Sequence, residues 1–234
     1  MTLVEVLILN KVGTKKQVKK LIKHGKIVVD GQVVNVDQSI DQEEVYYEGK
    51  QLDNHPLKYY VINKPSGYVC ANKDPYDPCL ISLLPDQDLH YVGRLDRDTT
   101  GLVIMTNDLK LRKKLTLPEY HIPRSYHFTC LKPLENTKPF KEGIIIDQNV
   151  RCLSSKVEMT DPYEGIITLT EGRYHEIKKM FLSLDNRITS LHRIMYGDIV
   201  LGHLKEGEYR SLEVEEINHL KYITRRSSCV QSKK

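Results

Sequence analysis

Asp96 sits in the stretch of this chain best equipped for chemistry, His90-Tyr91-Val92-Gly93-Arg94-Leu95-Asp96-Arg97-Asp98-Thr99-Thr100-Gly101-Leu102-Val103-Ile104-Met105-Thr106-Asn107. Two carboxylates, two arginines and two hydroxyls share a short loop that runs directly into the apolar Leu102 to Met105, a run of strand length. Gly93 and Gly101 pin such a loop against a buried strand, which suits it to hold one carboxylate in a fixed direction. A solvated turn whose aspartates and arginines pair with each other would use the same residues, and the stretch by itself leaves both readings open.

Further residues able to do chemistry are spread along the chain: Lys64 in Asn63-Lys64-Pro65-Ser66-Gly67-Tyr68-Val69-Cys70, Tyr126 in Arg124-Ser125-Tyr126, Arg173, His175 and Lys178 in Gly172-Arg173-Tyr174-His175-Glu176-Ile177-Lys178-Lys179-Met180-Phe181, and His192 with Arg193 in Leu191-His192-Arg193. His175 and His192 suggest metal or acid-base roles, yet no carboxylate or cysteine at ligand spacing completes a site around either. The five cysteines, Cys70, Cys79, Cys130, Cys152 and Cys229, are odd in number and show neither CxxC nor Cys/His spacing. Free thiols, no zinc site and a reducing cytoplasm are expected.

The elements that must position these residues can be read from the pattern. With 234 residues, 40% of them hydrophobic, the chain can form one large domain or a medium domain with a small appendage. A net charge of +4, from 35 basic and 31 acidic residues, says little about partners, so the local distribution decides. No apolar run approaches the roughly 20 residues of a membrane span, and no basic segment leads a long apolar one at the N-terminus. A protein without a membrane partner, not secreted, is expected.

Leu3, Val6, Leu7 and Leu9 predict a short first helix, and Gly13-Thr14 a stop followed by an N-cap. The second helix, beginning near Lys15, has an apolar stripe of Val18, Leu21 and Ile22 and a cationic face of Lys15, Lys16, Lys19, Lys20 and Lys23. Lys26 to Val34 then reads as a hairpin turning at Asp30-Gly31. This unit resembles the small RNA-binding module of a small-subunit ribosomal protein, of tyrosyl-tRNA synthetases and of many RNA-modifying enzymes, an S-four-like module. The resemblance rests on Gly13 to Val34; Thr2-Leu3-Val4-Glu5 replaces the Arg-Leu-Asp-Lys pattern usual on the first helix, so part of the usual basic surface is missing.

Polar and acidic residues from Asp37 to Glu48 are expected to separate this module from a second domain, with Asn54-His55-Pro56 as a linker. Tyr59 to Ile62 reads as a strand, the region of Pro75, Pro78 and Pro85 as loop with short helical pieces, Leu109 to Leu115 as a helix and Tyr126 to Cys130 as a strand. Residues 135–170 read as sheet, and Ile177, Phe181 and Leu184 fall at helical spacing. The expected organisation is therefore a module at 1–52, a larger domain at 57–220 and a basic, mobile tail at 221–234.

Six pieces occur in order: Asn63 to Cys70, Gly93-Arg94-Leu95-Asp96, Thr99-Thr100-Gly101-Leu102, Arg124-Ser125-Tyr126, Gly172 to Phe181 and Leu191-His192-Arg193. Together they resemble the Rsu-type ribosomal RNA pseudouridine synthases over essentially the whole chain, and Gly67-Tyr68-Val69-Cys70 looks most like the members acting on small-subunit (16S) ribosomal RNA. The resemblance implies an α+β fold: a small N-terminal α/β RNA-binding module, then a catalytic domain on a mixed, largely antiparallel sheet with flanking helices. It implies isomerisation of a flipped-out uridine without a cofactor, by glycosidic cleavage, rotation of the base and re-attachment through carbon 5.

On this resemblance Asp96 matches the essential aspartate, attacking the anomeric carbon or acting as a base on the sugar; Lys178 matches the basic residue that keeps it ionised; Tyr126 matches the tyrosine that stacks on uracil and is a candidate base for the carbon 5 proton. Arg94 matches the arginine that fills the gap left by the flipped base. Lys64, Arg173, His192 and Arg193 are expected to contact phosphates, as are the lysines of the second helix. Asp98 is expected to partner Arg97 or loop amides. Glu176 stands where Gln is common, and Arg124-Ser125-Tyr126 where Lys-Thr-Tyr is common. The implied partner is ribosomal RNA within a small-subunit assembly intermediate, met by a monomer. Large-subunit (23S) RNA is the alternative substrate. The rival reading is a non-catalytic RNA-binding assembly factor, against which the trio Asp96, Tyr126 and Lys178 argues.

Overall fold

The computed structural model describes residues 1–41, 43–54 and 57–225, and the chain divides between residues 56 and 57 into two compact units. In the first, α1 (Leu3–Leu9) begins at a capping box in which Thr2 and Glu5 satisfy each other's backbone amides. The residues that depart from the usual basic pattern therefore start the helix. A second capping box, Thr14 with Gln17, starts α2 (Lys15–Lys23). Strands β1 (Ile27–Val29) and β2 (Gln32–Val34) form the expected hairpin, with Asp30 and Gly31 at φ 47° and 77°, the left-handed pair that such a turn demands.

Residues 37–48 do not separate the module from the rest. They lead into β3 (Val45–Tyr47) and β4 (Lys50–Leu52), which complete a four-stranded sheet ordered β2-β1-β3-β4. Ile40 and Val45 enter the same core as Leu3, Val6, Leu7, Val18, Ile22 and Ile27. Two buried apolar residues in a polar segment outweigh its charges, which stay at the surface.

The second unit runs β5 (Tyr59–Lys64), β6 (His90–Val92), β7 (Thr100–Thr106), α3 (Leu109–Thr116), β8 (Arg124–Cys130), α4 (Lys138–Glu142), the small hairpin β9 (Ile145–Ile146) and β10 (Val150–Arg151), β11 (Lys156–Asp161), β12 (Glu164–Leu169), α5 (Glu176–Ser183), β13 (Ile188–Tyr196), β14 (Ile199–Val200), β15 (Tyr209–Ser211) and α6 (Val214–Ile223). Its nine-stranded sheet is ordered β11-β12-β8-β13-β7-β5-β15, with β14 on β13 and β6 on β7. Among the strand pairs of the described residues only β13 and β7 run parallel, through His192 with Thr100 and Arg193 with Gly101. The sheet is mixed and largely antiparallel.

Both faces of the centre are covered, which is why Leu102 to Met105 of β7 is an apolar run without alternation. Leu102 and Ile104 join a core with Leu111, Leu115 and Leu220 beneath α3 and α6, while Val103 and Met105 join one with Phe128, Ile177 and Phe181 beneath α5. Along one edge, β7 pairs with β13 only at its first two residues and with β6 farther on. The loop 93–99 joins β6 to β7 where those partners part.

Two expectations need correcting. The segment 135–170 is not all sheet, since Pro139 in the first turn of α4 suits a helix start and Phe140 is buried beneath it. Nor does a tail begin at residue 221: α6 continues to Ile223, Lys221 lies over the Tyr59 ring at 5.5 Å, and the buried Thr224 hydroxyl donates to the Leu220 carbonyl. The rest of the expected tail, 226–234, lies outside the described residues.

Candidate active site

The loop 93–99 is fixed by two cations that the surrounding sheet buries. Lys64, at the end of β5, is fully buried, and its Nζ donates to the carbonyls of Pro65 (3.0 Å), Arg97 (3.1 Å) and Thr99 (2.8 Å). Burial holds its pKa below the usual lysine value. Arg193 is 1% exposed, its Nε donating to the Leu102 carbonyl at 2.6 Å and its Nη2 to the Gly93 carbonyl at 3.3 Å. Gly101 completes the arrangement: at φ 104°, a Cβ there would lie 2.3 Å from the Arg193 carbonyl oxygen, so the parallel pairing of β7 with β13 requires glycine.

These findings correct the expectation that Lys64 and Arg193 meet phosphates. Their donors face the protein's own carbonyls, because a loop that crosses a parting sheet leaves carbonyls unpaired and buried lone pairs must be satisfied. His192 is corrected for another reason. Neighbours along a strand point to opposite faces, so His192 turns away from Arg193 and bonds Thr100 Oγ1 through Nδ1 at 2.7 Å. It lines a separate depression with Ser125 and Thr168, and burial lowers its pKa.

Held by this frame, Asp96 faces the start of α5. Lys178 Nζ lies 2.9 Å from Asp96 Oδ2, and His175 Nε2 lies 3.3 Å from Oδ1. His175 precedes the helix in a left-handed conformation (φ 54°), and its spacing of three from Lys178 puts both on one side of the first turn. The contact between residues 96 and 178 joins two motifs that lie far apart in the sequence. Asp98 does not pair with Arg97, which binds Asp77 at 2.7 Å; it shares Lys178, at 2.7 Å. Despite the opposing effect of burial, the Asp98 and Asp96 carboxylates raise the Lys178 pKa, and Lys178 in turn lowers that of Asp98.

Around Asp96 opens a cleft of about 750 Å³. Tyr126, 7% exposed, lies in its wall with the Arg193 guanidinium 6.0 Å from the ring. Arg94 is exposed at its edge with no protein partner among the described residues. Arg173 donates through Nε to Glu171 at 2.9 Å, which leaves its terminal nitrogens without a protein partner among the described residues. Tyr174, 72% exposed, stacks on His175 with ring centroids 3.8 Å apart. The lysines of α2 are all exposed, in the other unit.

Sequence reasoning did not place His175 against Asp96, nor foresee Arg112 and Arg124 in the cleft wall. Arg124 is buried, donating to the Glu171 carbonyl and the Tyr196 hydroxyl, each at 3.1 Å. The fold also gathers Cys152, Glu171 and Glu176, whose donor atoms lie within 4.8 Å of one another. Spacing along the chain could not reveal that group, since Cys152 arrives from a different segment.

A partly exposed carboxylate between an ammonium and an imidazole, in a cleft walled by an aromatic ring and edged by guanidinium groups with free donors, suits chemistry on a flat ring carried by a polyanion. Comparison with known proteins agrees. A model of the RNA pseudouridylate synthase family matches residues 58–183, more than half the chain, and one of the S4 domain matches residues 1–45. The chain belongs to the RNA pseudouridylate synthase family and is an isomerase. Among its relatives, ribosomal small subunit pseudouridine synthase A of Haemophilus influenzae is 36% identical over 217 residues, 88% of this chain and 94% of that protein. Its namesake in Escherichia coli strain K12 is 35% identical over 206 residues, 84% of this chain and 89% of that one. A crystal structure of a pseudouridylate synthase superposes with a TM-score of 0.69 at 35% identity, covering 94% of this chain and 99% of its own. No helix among the described residues is long and apolar enough to cross a membrane.

Proposed function

We propose that this protein isomerises one uridine of small-subunit ribosomal RNA, with Asp96 as its catalytic carboxylate. The observation that carries the reading is the contact of Asp96 with Lys178 and His175 inside the cleft; the relatives named for the small subunit support the substrate. Asp96 attacks the anomeric carbon or removes a sugar proton. In either case the bond from ribose to N1 breaks, the base turns, a bond from ribose to C5 forms, and the C5 proton leaves. Lys178 supports the charge of Asp96, since a carboxylate stripped of water needs a fixed cation to remain ionised. Tyr126 stacks on the uracil and is the candidate base for the C5 proton. Arg94 enters the RNA stack where the base has left, and Arg173 meets phosphate.

Residues 1–52 act as the RNA-binding module, with Lys15, Lys16, Lys19, Lys20 and Lys23 on phosphates, and residues 57–220 hold the catalytic machinery. The substrate is the RNA within a small-subunit assembly intermediate, met by a monomer in the cytoplasm. The test is to map pseudouridines in both ribosomal RNAs of cells with and without the protein, restoring the parent or Asp96→Asn. One small-subunit pseudouridine should disappear and return with the parent alone. A site lost instead from the large-subunit RNA would overturn the substrate, and full restoration by Asp96→Asn would overturn the assignment of Asp96.

A further inference from the structure

We propose that Glu176 works as a neutral acid, donating its carboxyl proton to Glu171, and so acts as a positioning residue for the wall of the catalytic cleft that carries Arg173 and His175. The oxygens themselves make the case. Glu171 Oε1 accepts from the Leu153 amide at 2.5 Å, and its Oε2 from Arg173 Nε at 2.9 Å. Glu176 Oε2 accepts from the Arg173 amide at 2.8 Å, but its Oε1 is buried with no donor to meet. Glu176 is 4% exposed and Glu171 8%, so water does not make up the difference. An orphaned, desolvated carboxylate oxygen beside a second carboxylate is costly. A single proton on it removes one charge and supplies the missing hydrogen bond.

The surroundings point the same way. Burial and then Glu171 push the Glu176 pKa up to about 7. Burial also pushes on Glu171, but hydrogen bonds from Glu176, the Leu153 amide and Arg173 bring its pKa below the usual value. The proton therefore belongs to Glu176, and Glu171 keeps the charge that Arg173 answers. From the segment after β10, Cys152 faces the pair as a thiol, its pKa pushed up to about 12 by burial and by the two glutamates. From β8 comes Arg124, whose guanidinium is engaged by the Glu171 carbonyl and Tyr196. On α5 itself, Lys178 and Lys179 are turned to Asp96 and Asp98 and to Asp147. Among the described residues, Arg173 is the one cation bonded to these carboxylates.

The proximity of Cys152, Glu171 and Glu176 suggests a metal ion at first sight. However, one of the donors already on Glu171 is the Arg173 guanidinium, whose charge would repel a cation there. A proton accounts for every oxygen without that conflict.

The consequence for catalysis rests on the function proposed above. Below neutrality the glutamate pair braces residues 171–175, which hold Arg173 at the cleft and His175 against Asp96. When Glu176 ionises, two abutting buried carboxylates repel and the brace loosens. Glu176→Gln is the decisive variant, because an amide of the same shape donates at every pH. The ratio of kcat/KM for Glu176→Gln to that of the parent should be near one at pH 6 and rise about tenfold by pH 8.5, as expected for a group titrating near neutrality. Parallel profiles would overturn the proposal.

A second measurement needs no RNA and so stands apart from the substrate assignment. The infrared spectrum of the parent at pH 6 should contain a protonated-carboxyl band that Glu176→Gln lacks and that fades in the parent above neutrality. Absence of that band would overturn the proposal even if the two variants differed in activity. So would stoichiometric zinc in the purified parent that Glu176→Gln or Cys152→Ala fails to retain.

Discussion

Basic side chains do opposite work in the two units. On α2, Lys15, Lys16, Lys19, Lys20 and Lys23 are exposed and have no carboxylate partner among the described residues. In the second unit Lys64, Arg193 and Lys178 are committed to the protein itself, the first two to carbonyls and the third to Asp96 and Asp98. A free cation attracts any phosphate through solvent and is weakened by salt. A committed one acts on a few fixed atoms in fixed directions and is largely shielded from salt. The first kind suits grip, the second geometry, and the two are separable by experiment.

The sharpest break comes at Asp96, the carboxylate that Lys178 serves. Asp96→Asn keeps the shape and most hydrogen bonds but removes the charge, so single-turnover pseudouridine formation should fall by at least about 10³-fold. RNA affinity and melting temperature should stay near those of the parent. Substantial residual turnover would sink the assignment, and a large loss of stability would return the loop to a structural role. Next in size is Lys178→Met, which strands Asp96 and Asp98 together. Chemistry should slow by about 100-fold with RNA affinity little changed, and Lys178→Arg should recover much of it. If Lys178→Met weakened RNA binding and spared the chemical step, Lys178 would belong with the lysines of α2.

Lys64 tests the same contrast from within the protein. Lys64→Met fits the apolar part of the space but removes a donor from three carbonyls, of which that of Arg97 keeps the Gly67 amide at 2.8 Å, so unfolding should become easier by roughly 2 kcal/mol in urea titrations. The salt dependence of RNA binding should not move. A stable Lys64→Met protein with a flatter salt slope would show that the lysine reaches phosphate after all.

What the sequence made legible was mostly local. Asp30-Gly31 announced its hairpin, Thr14 its helix, and Ile177, Phe181 and Leu184 the apolar side of α5, because each pattern is set by neighbours a few residues away. The helix α4 was masked by the β-branched runs around it, although Pro139 was a start signal. Asp96 stood out as a candidate, but its meeting with Lys178 came from the family resemblance, since nothing local links residues so distant along the chain. Lys64 and Arg193 look like surface cations in sequence. Their burial comes from the parting of β6 and β13 along β7, a property of the sheet that no local pattern encodes. The opposite facings of His192 and Arg193 were implicit in strand alternation, but which one meets the cleft depends on the parallel register with Thr100 and Gly101.

The smallest effect should come from the free cations, and its form matters more than its size. Each lysine of α2 that meets a phosphate releases a condensed counterion, so the logarithm of affinity falls with the logarithm of salt concentration by about 0.7 to 0.9 per contact. Replacing Lys19, Lys20 and Lys23 together with glutamine keeps good helix formers on an exposed face, and the buried Val18 and Ile22 that hold α2 to its unit are untouched. Stability should therefore change little, while the salt slope drops by about 2. Saturating single-turnover rates should equal those of the parent, because these lysines grip RNA without touching Asp96. The measurement is RNA affinity from about 50 to about 300 mM salt beside the saturating rate at one salt concentration. An unchanged slope would show that the lysine face does not touch RNA. A lower saturating rate with an unchanged slope would mean that α2 acts on the chemistry, and the division between grip and geometry would fail.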